Sequence, residues 1–277
     1  MNDVTIRPLD LPEIQTLLEW ASAEGWNPGL ADARPFQASD PQGFIGCFVD
    51  GVMAAGISAI RYGSDFGFIG LYIAHPDFRG RGYGRLVWDA GMTHLKGRTI
   101  GLDGVQQQQA NYRSMGFIPD YETCRWSGTL EGQPHPQIGT LNDTHLPALT
   151  EFDRRYFAGN RPEFLRDWLA FPRRTKLLIR NDAIAGYAVL RQCHEGYKIG
   201  PLFAVDADAA MRLIHACAAE TAGETIHIDV PAGKVTFSAL LEKSGLKRGF
   251  QTTRMYCGKP PSFDTAGVFG VTTLELG

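Results

Sequence analysis

The run HPDFRGRGYG (His75–Gly84) sets glycines at 80, 82 and 84 among Arg79, Arg81 and Tyr83, directly after the apolar stretch FIGLYIA. The next residues, GRLVWDAGMTHL, read as an amphipathic helix. Glycine inside a helix costs about 1 kcal/mol relative to alanine, so its use here requires a compensating reason. A helix N-terminus presents unpaired backbone N–H groups and a partial positive charge. Glycines without Cβ atoms let an anion reach those groups, and Arg79 and Arg81 add charge beside them. The chemistry these residues suit is the cradling of a pyrophosphate. The spacing is GxGxG, so it is neither the GxGxxG of a dinucleotide fold nor the GK[ST] of a Walker loop. A solvated Gly/Arg turn is the competing reading.

The elements that must position this loop follow from hydrophobic periodicity. The first half reads as strand TIRPL, a helix from about Leu11 to Ala23, and a loop GWNPG (Gly25–Gly29). Strands FIGCFV, VMAAGISAIRY and FGFIGLYIA come next, then the glycine loop and its helix, strand TIGLDG, a short helix before Gly116, and strand ETCRWSG. The second half reads as a helix near 143–157, strands KLLIR, AIAGYAVLR and GYKIGPLFA, and helix AAMRLIHACAAE. Strand TIHIDV, helix VTFSALLEKSG and strand TTRMYC complete it. Hairpins feeding strand–helix–strand units predict an α/β class with mixed, mostly antiparallel twisted sheets flanked by helices.

The two halves echo each other. AAG at 54–56 matches IAG at 184–186, and FIG at 68–70 matches KIG at 198–200, both at an offset of 130. SMGFIPDYETCRW (114–126) matches KSGLKRGFQTTRMY (243–256) at 129, aligning Gly116 with Gly245, Thr123 with Thr252 and Arg125 with Arg254. Ordered matches at nearly one offset predict two copies of one fold. The polar, proline-bearing EGQPHPQ (131–137) separates a domain at 1–130 from one at 137–258. Residues 259–277 form an arm in which VFGVTTLEL could add a strand.

Bulk properties fit that plan. A chain of 277 residues suits two domains. A net charge of −3 gives no basic signature for nucleic acid. Five scattered cysteines without a CxxC pair argue against a disulfide scaffold or zinc knuckle, and no metal site is expected. The first residues lack the pattern of a secretory signal, and no apolar run approaches 18 residues. A cytoplasmic protein with no membrane partner is expected.

The glycine loop closely resembles the acetyl-CoA-binding motif of the GNAT superfamily of N-acetyltransferases, [QR]-x-x-G-x-[GA], with Arg79, Gly82 and Gly84 at its fixed positions. The lead-in YIA-HP matches as well, and the family's later Tyr-x-x-x-Gly-Phe stands at Tyr112–Phe117. The resemblance covers most of residues 1–128, while the second copy resembles the fold by repeat. The whole is similar to a tandem GNAT protein with a degenerate C-terminal half.

That resemblance implies two GNAT-like domains and an acetyl-CoA-dependent transfer to a primary amine by direct attack. Tyr72, Ile73 and Ala74 would offer backbone groups to the pantetheine arm. Arg79, Gly80, Arg81, Gly82, Tyr83 and Gly84 would hold the pyrophosphate. Tyr112 would protonate the leaving thiolate, or else only pack the short helix on the sheet. Val105 and Gln108 stand where the family often has Asn and Ala, which leaves Gln106–Gln109 as replacement contacts or helix surface. Trp26 and Asn27 could line an acceptor pocket, or Trp26 could simply anchor its loop to the core, and Asp103 could orient the amine or cap the next helix. His75 is read as a loop histidine, and no general base is evident. In the second copy the loop positions become Ala209–Ile214, preceded by Asp206 and Asp208, and Tyr112 becomes Leu241. That half is expected to bind no CoA and instead to wall an acceptor site between the halves. The acceptor is a small-molecule or protein amine. Two fused copies could satisfy internally an interface that single-copy relatives make by dimerising, which fits a monomer. A non-catalytic acyl-CoA-binding sensor or interaction module is the alternative reading.

Overall fold

The computed structural model describes residues 3–277. The first half contains β1 (Val4–Pro8), α1 (Leu11–Ala23), α2 (Ala33–Ser39), β2 (Phe44–Val49), β3 (Val52–Tyr62) and β4 (Phe66–Ala74). It continues with α3 (Tyr83–His94), β5 (Thr99–Val105), α4 (Gln109–Ser114) and β6 (Ile118–Gly128). The second half contains β7 (Ile138–Thr140), α5 (Leu146–Tyr156), α6 (Pro162–Trp168), β8 (Arg174–Arg180), β9 (Ala183–Gln192) and β10 (Tyr197–Ala204). Then come α7 (Ala207–Ala218), β11 (Ile226–Pro231), α8 (Val235–Lys243), β12 (Lys247–Cys257) and β13 (Val268–Gly270). Local chemistry sets many boundaries. Asp10 and Glu13 form a reciprocal capping box at the start of α1, and Pro12 occupies its first turn.

The strands form one 13-stranded mixed sheet in the order β1-β2-β3-β4-β5-β12-β6-β11-β10-β9-β8-β7, with β13 added on β10. Each copy lends its last long strand to the other. β12 of the second half lies between β5 and β6, and β6 of the first half lies between β12 and β11. The exchange is symmetric: Thr123 and Thr252, equivalent residues of the two copies, face each other in the β6–β12 pair. The segments 1–130 and 137–258 therefore do not close as separate sheets.

Two reciprocal ion pairs lock the exchange. Arg125 of β6 donates from Nε and Nη2 to the Asp229 carboxylate on β11 at 2.8 and 2.9 Å. Arg254 of β12 makes the matching pair with Asp103 on β5 at 2.9 and 2.8 Å. All four side chains are at most 7% exposed. Both pairs are bidentate, the geometry in which arginine binds carboxylate best.

The core also crosses between copies. Leu17, Phe36 and Phe68 of the first half share one buried cluster with Phe152, Trp168 and Phe203 of the second. Phe36 stacks on Trp168 with centroids 6.0 Å apart. Beside them the buried Asp32 carboxylate receives Arg173 at 3.2 Å and also pairs with Arg191. After β13 the chain turns into the first half, where Ser58 Oγ donates to Glu275 O at 3.2 Å and Tyr62 Oη to Leu276 O at 2.9 Å. No helix among the described residues is long and apolar enough to cross a membrane.

Two features of β4 open the sheet. The ladder to β3 jumps from Gly56↔Ile73 to Ser58↔Gly70, a bulge that places Leu71 at φ 45°. The parallel ladder to β5 runs only from Phe66↔Thr99 to Ile69↔Leu102. Beyond that point β5 pairs with β12 through Asp103↔Arg254, and Gly70–Ala74 diverge from it. The result is a gap between β4 and β5.

Residues 1–130 expressed alone leave β6 without either hydrogen-bonding neighbour. We expect them not to reach a cooperative fold, which far-UV circular dichroism and amide dispersion by NMR would check. Burial pushes the Asp229 carboxyl up, but its pairing with Arg125 and the nearby Lys198 and Arg191 outweighs that and holds it at about 2. A carboxyl depressed in the fold binds more protons unfolded, so its stabilisation is present above its unfolded pKa of about 3.9 and is lost as pH falls towards 2. Urea midpoints between pH 4 and pH 2 should fall steeply in the wild type and less steeply in Asp229→Asn.

Candidate active site

The gap between β4 and β5 opens into two connected spaces. The outer one is a cleft of about 630 Å³ lined by Glu24, Trp26, Tyr72, Ile73, Ala74, Arg79, Gly84 and Tyr112, with Gln107, Gln108 and Asn111 on its far side. The inner one is a chamber of about 50 Å³ lined by residues that include Trp26, Leu71, Leu102, Tyr112, Phe250, Leu274 and Glu275. Trp26, Tyr72, Asp103, Val105, Tyr112 and Phe250 line both.

The glycine loop forms the mouth of the cleft. Gly80 and Gly82 have φ of 75° and 88°, a region that favours glycine. A Cβ at either position would meet nothing within 4 Å, so the backbone there is open to an incoming group. Gly82 is the N-cap of α3 and no side chain caps that helix. Its first N–H groups, lacking intrahelical partners, are left for an anion. Gly84 has a different reason: a Cβ there would sit 3.2 Å from Tyr72 Oη. Arg79 turns back from the loop, donating to Ala74 O at 3.0 Å and pairing with Glu24. Arg81 lies over the Phe78 ring at 5.7 Å, and the Tyr83 ring packs on the same phenylalanine at 6.0 Å.

Tyr112 projects from α4 into both spaces. Its ring stacks on Trp88 at 5.6 Å, and Trp88 in turn contacts Tyr72 at 5.3 Å. Burial, with a smaller contribution from Tyr72, pushes the Tyr112 phenol well above its ordinary range. It therefore stays protonated at neutral pH. Packing and exposure to the cleft coexist here, since the ring packs on Trp88 while the residue also lines the cavity.

The acceptor-side candidates divide. Trp26 lines both cavities, and its carbonyl accepts from Arg125 Nη1 at 3.2 Å and Lys198 Nζ at 2.9 Å. Asn27 is committed elsewhere: its amide donates to Glu195 O at 2.9 Å and accepts from Glu195 N at 3.0 Å, mimicking a strand pair between the halves. Asp103 lines the cavity, but its carboxylate is held by Arg254. Of the glutamines, Gln107 and Gln108 face the cleft, and Gln109 donates to Thr253 Oγ1 at 2.9 Å. His75 caps the short turn after β4 and packs on Trp20.

The residues that sequence reasoning missed come from the second half. Phe250, Thr252, Leu274 and Glu275 wall the inner chamber. They reach it only because β12 is exchanged and the segment after β13 folds back. The one sequence cue was an acid between leucines, Leu274-Glu275-Leu276, in an apolar stretch.

At the equivalent place in the second copy, the N-terminus of α7 is already satisfied. Asp206 is its N-cap and accepts from Ala209 N at 2.7 Å. Arg180 bridges Asp206 and Asp208, both at 2.8 Å. Leu241, in place of the tyrosine, is fully buried.

Comparisons with known proteins agree with this geometry. The Acetyltransferase (GNAT) family matches residues 11–118, and a second Acetyltransferase (GNAT) domain matches residues 149–270. The holothin acyltransferase of Pseudoalteromonas sp. (strain SANK 73390) is 33% identical over 99% of this chain and 94% of its own length. Among solved structures, a putative acetyltransferase from Pyrococcus horikoshii superposes with a TM-score of 0.82 at 18% identity, covering 99% of this chain and 96% of that one. A tandem GNAT protein from the clavulanic acid biosynthesis pathway superposes with a TM-score of 0.61 at 12% identity, covering 94% of this chain and all of its own. The two structural likenesses concern the fold, whereas the full-length relative and the two domain matches show the family. The chain belongs to the GNAT acyltransferases, as an enzyme with two GNAT domains in tandem.

Proposed function

We propose that the protein is an acetyl-CoA-dependent N-acetyltransferase that acts on a primary amine, with the thioester held by the first half. The observation that carries this reading is the continuity of the cleft. It leads from the uncapped, glycine-opened N-terminus of α3 along Tyr72–Ala74 to Tyr112 at the β4–β5 gap.

Each part has a physical task. The open N–H groups at Gly82 suit a pyrophosphate, which also finds the positive end of α3 there. Residues of β4 beyond Ile69 have lost their β5 partner, which leaves backbone groups for an amide-bearing arm. The reaction is then one of positioning. The uncharged amine nitrogen forms a bond to the acetyl carbonyl carbon and gives up one proton to water in the cleft as the amide forms, the C–S bond breaks, and the Tyr112 phenol gives its proton to the departing thiolate. The second half contributes walls and no second cofactor site, because the Asp206 carboxylate already occupies the place of an anion at α7. Holothin, named in the relative's activity, is the first acceptor to try.

Calorimetric titration of acetyl-CoA should give one equivalent for the wild type and no binding for folded Gly82→Glu, which sets a carboxylate where the pyrophosphate is placed. Two equivalents, or equal binding by the variant, would refute the assignment. Tyr112→Phe should keep acetyl-CoA affinity within about threefold and lower kcat by about 100-fold, the lower range for a general acid. Unchanged turnover would leave Tyr112 as packing alone. Binding without turnover over a panel of amines would point instead to an acyl-CoA sensor.

A further inference from the structure

Glu275, which lines the inner chamber, carries a carboxylate oxygen that the fold leaves without a hydrogen bond. Glu275 is 3% exposed, and its Oε2 is enclosed without a hydrogen-bond partner among the described residues. A buried carboxylate left in that condition is costly, and most such groups are paired. Its neighbours are already engaged. Arg125 is taken by Asp229, Arg191 by Asp32 and Arg254 by Asp103, while Lys198 donates to the carbonyl of Trp26.

The backbone that carries Glu275 is held firmly in place. Thr273 Oγ1 accepts from Glu275 N at 3.1 Å and from Leu276 N at 2.9 Å. Ser58 Oγ donates to the Glu275 carbonyl, and Gly70 has no Cβ because one would collide with that same carbonyl. The glycine on β4 thus admits the second half's closing segment to the floor of the gap. The chamber lining is otherwise largely apolar and aromatic, with Trp26, Leu71, Leu102, Tyr112, Phe250 and Leu274 beside Asp103 and Thr252.

We propose that Glu275 is the acceptor-binding and proton-accepting residue of the transferase, and that the acceptor is a small primary amine on an apolar or aromatic body. This rests on the reading of the cleft given above. An incoming ammonium supplies a donor to the Glu275 carboxylate, and the apolar walls receive the rest of the molecule. The ammonium passes one proton to the Glu275 carboxylate, and the freed lone pair forms the N–C bond. As the amide forms, the nitrogen gives up its second proton to water in the cleft, and the C–S electron pair leaves on sulfur, which takes the Tyr112 proton. The proton on Glu275 returns to solvent through the cleft after product leaves, and Tyr112 is reprotonated by the same route. Charged or titratable groups facing Glu275 are Asp103 from β5, Arg125 from β6, Arg191 from β9 with Cys193 just beyond it, and Lys198 from β10.

The test uses the full chain without acetyl-CoA, titrated with benzylamine and with benzyl alcohol as the uncharged match. Benzylamine should bind the wild type at least about tenfold more tightly than Glu275→Gln, in line with a charged hydrogen bond in a buried site. Benzyl alcohol should bind both alike. Glu275→Asp should recover part of the amine affinity. The melting temperature of Glu275→Gln should be no lower than that of the wild type, whereas a purely structural carboxylate would lower it. With acetyl-CoA present, Glu275→Gln should lower kcat/KM for benzylamine by at least about 100-fold. Equal benzylamine binding by wild type and Glu275→Gln, or none by the wild type at millimolar concentration, overturns the assignment. Selective amine binding in a protein that ignores acetyl-CoA would instead refute the transferase reading and uphold the amine site.

Discussion

Two buried guanidinium–carboxylate pairs determine how the rest of this molecule is arranged. Arg125 meets Asp229 and Arg254 meets Asp103, each across the boundary between sequence halves. Removing one member of such a pair leaves an isolated buried charge, a cost of about 3–5 kcal/mol. The pairs therefore penalise any arrangement in which each half folds back on itself. They also set register, because bidentate geometry tolerates no slip by one residue, and such a slip would turn every side chain to the opposite face. Continuity of the 13-stranded sheet, and its symmetry about Thr123 and Thr252, follow from them.

The gap between β4 and β5 lies one strand away from the same exchange. β12 pairs with the far edge of β5 from Ile100 to Val105, while on the near edge the ladder to β4 stops at Ile69↔Leu102. The bulge at Leu71 turns β4 the other way. What remains between them is a space lined mainly by the first half, to whose inner wall the second half adds Phe250, Thr252, Leu274 and Glu275. The two copies have diverged in a complementary sense. One keeps an uncapped helix facing a cleft, and the other fills the same position with the Asp206 carboxylate.

Much of this was legible in the residues. The glycine loop, Tyr112, the strand order within each half and the repeat offsets all rest on local pattern, and local pattern is what sequence displays. α2, α6 and β7 were not visible because seven-residue helices and a three-residue strand carry too few periodic positions to stand out. The roles of Asn27 and Asp103 were hidden for another reason. Both use their side chains on partners more than 100 residues away, Glu195 and Arg254, and nothing local marks such a partner. Glu275 was hidden most completely. Its segment reads as an irregular arm, and only the folded chain shows that the arm enters the gap between β4 and β5. The repeat did predict equivalent positions for Arg125 and Arg254, but not that each would reach into the other copy.

The strand exchange also bears on how the chain is made. The partner of Asp103 is 151 residues later and the partner of Arg125 is 104 residues later. During synthesis the first half must wait with β5 and β6 as open edges until β11 and β12 emerge. At roughly 5–20 residues per second that interval is many seconds, far longer than a helix or hairpin needs to form. Unpaired edges of that kind are templates for pairing with the wrong chain. High contact order of this sort slows folding, because the entropy of closing long loops is lost before the distant contacts form. The feature that joins the two copies into one sheet thus exposes the nascent chain to mispairing, and it favours low expression temperature and dilute refolding for anyone preparing the protein.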